Sequence, residues 1–115
     1  MSHRIPGPPL QQPKRGEIWL AALDKRRPVV VMHRDFAGRS LQSVLVAPVT
    51  TTVRDIPTAV RMEATDGLDR DCVASLDNLT LVMRTRLIRK IGQATPARMD
   101  AFCRALAVAL ACRFE

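Results

Sequence analysis

Lys25-Arg26-Arg27-Pro28-Val29-Val30-Val31-Met32 is the stretch on which the fold turns. Consecutive β-branched residues from Val29 to Val31 read as a strand buried on both faces, the central strand of a sheet. Pro28 donates no backbone hydrogen bond, which predicts that it is the first residue of that strand. A residue before proline is held to extended backbone, so Arg27 has lost part of its freedom before any ligand arrives. A guanidinium so placed, at the rim of a rigid sheet, suits paired hydrogen bonds to phosphate oxygens. An exposed basic turn beside a core strand fits the same residues, and the stretch alone leaves both readings open.

Outward from this strand, the upstream neighbour is Lys14-Arg15-Gly16-Glu17-Ile18-Trp19-Leu20, where Ile18 and Leu20 alternate with Glu17 and Trp19. That alternation predicts a half-buried strand, and the short link Asp24-Lys25-Arg26 makes the two strands antiparallel neighbours. Residues Met1 to Pro13 carry Pro6, Pro8, Pro9 and Pro13 beside Gln11 and Gln12 and read as a disordered Pro-rich tail. Residues 14–115 then form one domain.

Downstream, His33 to Ser40 reads as a loop or one turn of helix, with Gly38 as its breaker. Gln42–Val49 is the next strand, broken by Pro48 and running into Thr50-Thr51-Thr52. Ala59–Met62 is a short strand entered from Pro57, and Asp66-Gly67 marks a turn. Cys72–Leu76 and Leu79–Met83 read as strands interrupted by Asp77-Asn78, and Lys90–Ala94 as the last strand. Thr95-Pro96 is a helix start, with threonine as N-cap and proline at the first helical position. The helix presents Met99, Phe102, Cys103, Leu106 and Leu110 on one face and Ala101, Ala105, Val108 and Cys112 on another. Apolar on two sides, it is expected to pack on its own sheet and on a second subunit. The plan is mainly β: a small, curved antiparallel sheet or barrel with a C-terminal helix.

Composition narrows the partners. Eighteen Lys and Arg against eleven Asp and Glu leave a net charge of +7, which favours a polyanion such as nucleic acid or an acidic protein. Aromatic residues are only 3%, which argues against the stacking platforms of common single-strand binders. No apolar run approaches the roughly 20 residues of a membrane span, and the N-terminus lacks the apolar segment of a secretory signal. Cys72, Cys103 and Cys112 are odd in number without CxxC spacing, so small thiols in a reducing cytoplasm are expected rather than disulfides or zinc.

The order of motifs resembles the MazF/PemK/Kid family of small bacterial toxins, which cut single-stranded RNA and are paired with antitoxins. The resemblance rests on Arg15-Gly16-Glu17-Ile18-Trp19, Arg27-Pro28-Val29-Val30-Val31, Val46-Ala47-Pro48-Val49-Thr50-Thr51, Ile56-Pro57-Thr58, Asp69-Arg70-Asp71-Cys72-Val73 and Asp77-Asn78, followed by the final helix. It implies an SH3-like barrel of the CcdB/PemK type, a homodimer, an acidic antitoxin partner and a cytoplasmic location. It implies catalytic roles for Arg27, for Thr50 (with Thr51 as the other candidate for the hydroxyl) and for Asp77, with Asn78 where the family has Gln. Lys25, Arg26, Thr51, Thr52, Arg54 and Asn78 are the candidate substrate-binding residues. Many members carry a longer loop between the first two strands, some with a catalytic glutamate in it. Here only Asp24-Lys25-Arg26 remain, so that acid is missing and a more open site is expected.

The residue types constrain the chemistry. His3 lies in the tail and the sequence around His33 offers no obvious acidic or cysteine partner, so a two-histidine ribonuclease mechanism is unsupported by the sequence. Clusters with metal-ligand spacing are missing, and no cofactor is expected. RNA cleavage remains open to such a chain because the substrate supplies its own nucleophile, the 2′-hydroxyl beside the scissile phosphate. On this reading Arg27 and a threonine hydroxyl stabilise charge on the phosphoryl oxygens. Family accounts also cast the arginine as a general acid. Asp77 is the best candidate for the base, with Glu17 a distant second, although an acid beside Asn at a strand break also serves as a turn former. Two other functions fit the same architecture: a CcdB-like toxin that poisons gyrase without nuclease activity, and a basic RNA-binding module without turnover.

Overall fold

A computed structural model describes residues 12–35, 42–62, 68 and 71–112. Nearly all of the proline-rich tail, most of the His33–Ser40 loop and the Asp66-Gly67 turn lie outside the described residues. Seven strands, β1 (Glu17–Ala22), β2 (Arg26–Val31), β3 (Ser43–Thr50), β4 (Ala59–Arg61), β5 (Val73–Ser75), β6 (Thr80–Met83) and β7 (Leu87–Gln93), precede one helix, α1 (Pro96–Ala109). They form a curved antiparallel sheet in the order β4-β5-β3-β2-β1-β7, with β6 paired to β3 off that path. The sheet does not close: β4 and β7 are its two ends among the described residues, which resolves the sheet-or-barrel expectation in favour of an open sheet.

As the valine run predicted, β2 lies inside the sheet between β1 and β3. Val29 and Val30 are 0% exposed and Val31 is 1% exposed. Val29 and Val31 point into a core with Trp19, Ala21, Val44, Val46, Val82 and Leu87. Val30 points the other way, into a core with Ile18, Met32, Ala47, Val49, Leu76 and Phe102. Alternation along one strand thus feeds two cores, one on each face of the curved sheet.

Both prolines depart from expectation. Pro28 is not the first residue of its strand, because β2 starts at Arg26 and Pro28 pairs with Leu20. It is tolerated there because β3 joins β2 only from Val29 onward. Nor does Pro48 break β3, which runs on to Thr50. At Pro48 the strand changes partner, facing Val29 of β2 just before Val49 and Thr50 pair with β5, so a ladder donor is dispensable at that point.

The last strand is longer than the Lys90–Ala94 reading, since it begins at Leu87 after a 3-10 turn over Arg84–Arg86. Gly16 opens β1 with φ +86, a left-handed conformation in which glycine avoids the Cβ penalty. Its N–H donates to the Val31 carbonyl and its own carbonyl accepts from Ala94, so it ties β1, β2 and the end of β7.

Helix α1 starts where Thr95-Pro96 placed it: the Thr95 hydroxyl accepts from the Arg98 N–H at 3.1 Å. Phe102 and Ala105 are its buried residues, with Met99 and Leu106 packed beside them. Burial of Phe102 alone contributes about 2–3 kcal/mol. Cys103 and Leu110, read as part of this face, are exposed instead. One helical turn from Met99, the Cys103 side chain has rotated to the edge, where its sulfur meets Arg15 at 3.0 Å. No helix among the described residues is long and apolar enough to cross a membrane.

Candidate active site

The site is built on the end of the β2–β3 ladder. Pairing of Val29 with Pro48 sets the register, and continuing it by two residues puts Arg27 opposite Thr50. Both side chains line one cleft of about 570 Å³. Leu23 and Asp24 from the β1–β2 turn, Thr52, Arg54 and Ile56 after β3, and Ser75, Asp77 and Asn78 around the end of β5 complete its walls.

Arg27 is anchored from behind. Its Nε donates to Asp24 Oδ1 at 3.1 Å and its terminal nitrogen to Asp24 Oδ2 at 3.4 Å. The guanidinium is therefore gripped along one edge, and its remaining N–H groups are left for a ligand. The same hydrogen bond from Arg27, aided by a backbone N–H from Lys25, holds the Asp24 carboxyl below the ordinary carboxylate range. Asp24, in the short β1–β2 turn, was not among the residues that the sequence reading placed in the site. The Asp24-to-Arg27 spacing of three residues across a tight hairpin was the signal for it.

Thr50 is held by a hydrogen bond of its own. Thr50 Oγ1 accepts from the Thr52 N–H at 3.2 Å, which holds the side chain and leaves its O–H to donate. Thr51 is exposed and does not line the cleft, so the geometry favours Thr50 over its neighbour. Thr52 and Arg54 do line it.

Asp77 lies in a 3-10 turn, Leu76–Asn78, that replaces the expected simple break between β5 and β6. The buried Thr58 donates its hydroxyl to Asp77 Oδ2 at 2.5 Å, and the Thr58 carbonyl accepts from the Leu76 N–H at 2.9 Å. This pair of bonds ties the turn to the entry of β4, and Asp77 lines the cleft. Thr58 entered the sequence reading only within the Ile56-Pro57-Thr58 motif, with no role at the site, because a threonine after proline carries no such signal of its own. Asn78 donates to Ser75 Oγ at 2.8 Å. Lys25 and Arg26 are exposed but lie outside the cleft lining. Among the described residues no three His, Cys, Asp or Glu side chains gather closely enough to hold a metal ion.

A guanidinium held by Asp24 and a hydroxyl share one cleft with the Asp77 carboxylate, a set of groups able to bind the oxygens of a phosphodiester. Comparison with known proteins gives the family. Residues 14–110 match the family of PemK-like, MazF-like toxins of type II toxin–antitoxin systems. The chain belongs to this family. Among its relatives, the probable endoribonuclease MazF5 of Mycobacterium tuberculosis is 40% identical over 103 residues, covering 87% of this chain and 94% of the relative. Endoribonuclease MazF3 of the same species is 38% identical over 89 residues, covering 77% and 86%.

Solved structures of MazF toxins share the architecture. The Mycobacterium tuberculosis toxin MazF-mt6 superposes with a TM-score of 0.81 at 36% identity, covering 85% of this chain and 99% of that one. A mycobacterial endoribonuclease in complex with its cognate antitoxin gives 0.80 at 31% identity, covering 90% and 99%. The order of motifs that resembled the MazF family is therefore a true family signature, and the mainly β plan with a C-terminal helix is the plan of its members.

Proposed function

We propose that this MazF-family toxin is an endoribonuclease that cuts single-stranded RNA at short motifs in the cleft between Arg27 and Thr50, without a metal ion. The observation that carries the reading is the placement of Arg27 opposite Thr50 on a rigid ladder, in one cleft. The 2′-hydroxyl of the substrate attacks the adjacent phosphorus, and the bond from phosphorus to the 5′-oxygen breaks in line. Asp77 Oδ1 takes the 2′-proton, and the departing 5′-oxygen takes a proton from water. Products are a 2′,3′-cyclic phosphate and a 5′-hydroxyl. Arg27 and Thr50 donate to the non-bridging oxygens, where negative charge grows in the transition state. A guanidinium remains protonated throughout, so charge stabilisation rather than proton donation is its role. Asp24 keeps it aimed.

Arg54, Thr52 and Asn78 line the approach and hold nucleotides on either side of the scissile bond. Exposed apolar residues, Leu81 and Met83 on β6 and Val108 and Leu110 near the end of α1, support a homodimer. An antitoxin is its partner, as for the relative solved with its cognate antitoxin, and acidic character in that partner matches a chain of net charge +7. The toxin acts in the cytoplasm, where its RNA is.

The test is incubation with mixed single-stranded RNA in the presence of chelator, with end-group analysis and sequencing of the fragments. Discrete fragments with cyclic phosphate ends are expected. Intact RNA, with gyrase supercoiling inhibited by the same preparation, would overturn the nuclease reading in favour of a gyrase poison.

A further inference from the structure

Lys25 and Arg26 stand beside Arg27 in the chain but do not share its cleft. Alternation along β2 explains this for Arg26, which falls on the opposite face of the sheet from Arg27. The register then shows what accompanies it there. Arg26 pairs with Ala22 of β1, and Leu20, two residues back on the same face, pairs with Arg89 of β7. Arg86, in the turn before β7, donates to the carbonyl of Ala22, the strand partner of Arg26, at 3.3 Å, so it reaches the end of β1 from the side of Leu23 and β6. Three separate segments thus bring Lys25, Arg26, Arg86 and Arg89 around the end of β1, and all four side chains are exposed. Arg26 and Arg89 flank one strand with an offset of two residues along it, a backbone separation of about 12 Å at ordinary strand spacing.

Among the described residues none of the four pairs with a carboxylate: Asp24 is taken by Arg27 and Glu17 by Lys90 on the other face. Like charges so gathered repel one another, so the patch is favourable to the molecule chiefly when a polyanion lies on it. It is also contiguous with the cleft, since the turn that carries Lys25 and Arg26 supplies Leu23, Asp24 and Arg27 to the cleft wall.

We propose that this patch is a second RNA-binding surface, which holds the phosphates of nucleotides flanking the cut site after the strand has passed over the β1–β2 turn. The inference rests on the nuclease reading and adds to it a track outside the cleft. RNA is favoured over an antitoxin peptide because Leu20 and Ala22 offer little apolar surface between the cations, and a folding peptide needs an apolar groove as well as charge. Phosphate contacts carry no sequence information, so the patch sets affinity and length preference, leaving the motif to the cleft.

The experiment compares wild type with Arg89→Gln and with the double variant Arg86→Gln/Arg89→Gln, using an RNA just long enough to fill the cleft and one longer by several nucleotides on each side. Both variants are expected to cut the short RNA within about twofold of wild type and at the same motif. Affinity for the long RNA should fall several-fold, and the slope of log affinity against log salt should drop by about 0.7 for each cation removed. Unchanged long-RNA affinity and slope in the double variant would overturn the proposal, all the more if antitoxin binding fell instead. Equal losses on short and long RNA would also overturn it, since the residues would then act through the cleft. Should the wild-type chain itself fail to cut either RNA, the nuclease reading falls first, a result distinct from the other two.

Discussion

Arg27 is held along one edge by Asp24 and shares its cleft with Thr50, so hydrogen-bond geometry constrains it as much as charge does. Arg27→Ala is expected to slow single-turnover cleavage roughly a hundredfold to a thousandfold, the loss usual for a preorganised donor to a developing anion. Arg27→Lys should restore little, because an ammonium cannot meet Asp24 and a phosphate with the same planar fork. Wild-type rates in Arg27→Ala would sink the assignment. The Asp24 carboxyl sits below its ordinary range because the bond from Arg27 favours its charged form. A depressed value means that the pair is intact above the ordinary carboxylate range and is lost only as pH falls through the lowered value. Asp24→Asn should therefore reduce cleavage by one constant factor, about tenfold or more, across about pH 5 to 8. A ratio of wild-type to variant rates that varied with pH in that window would refute the positioning role.

Among the elements, β1 and α1 hold the site's foundation from opposite ends. Glu17 opens β1, where burial would raise its carboxyl. The Lys14 N–H, the Trp19 indole and the Lys90 ammonium outweigh that and leave it lowered. Its contribution is therefore present at neutral pH and fades as acid takes the pH through the depressed value. Glu17→Gln is expected to cost about 1–2 kcal/mol, seen as a Tm several degrees lower and a flatter acid limb in thermal melts. Equal melting curves for the two proteins between neutral and acid pH would contradict this. At the helix, Thr95→Ala should lower stability by about 1 kcal/mol through loss of the N-cap. Phe102→Ala should cost about 3–5 kcal/mol by emptying the core that backs the site. Chemical denaturation checks both, and a Phe102→Ala loss no larger than that of Thr95→Ala would contradict the packing described for α1.

For the whole molecule, exposed apolar side chains and net charge predict association behaviour. Leu81 is 63% exposed, Met83 51%, Val108 55% and Leu110 61%. Light scattering is expected to give twice the 12.8 kDa chain mass, and Met83→Lys or Leu110→Lys to shift it toward a single chain. A single-chain mass for the unaltered protein at micromolar concentration would contradict the dimer. RNA affinity should fall linearly in log–log terms with added salt, and a flat response would exclude phosphate neutralisation as the source of binding.

Local rules carried much of this protein. The valine run made β2 a core strand, Thr95-Pro96 marked the helix start, and the order of short motifs marked the family, because each is an interaction between residues near in sequence. What local rules missed were choices made by neighbours. Pro28 and Pro48 sit inside strands because the ladder changes partners beside them. Cys103 left the core when the sheet took only one narrow face of α1. Asp24 found Arg27 across a turn, and Thr58 found Asp77 across nineteen residues. The chain by itself determined a basic, mainly β toxin domain with an arginine at a strand mouth, since composition and short-range pattern are enough for that. Which hydroxyl faces that arginine, which acid steadies it, and which cations gather behind it were decided only by strand register, a long-range property in which one residue of slip turns every side chain to the other face.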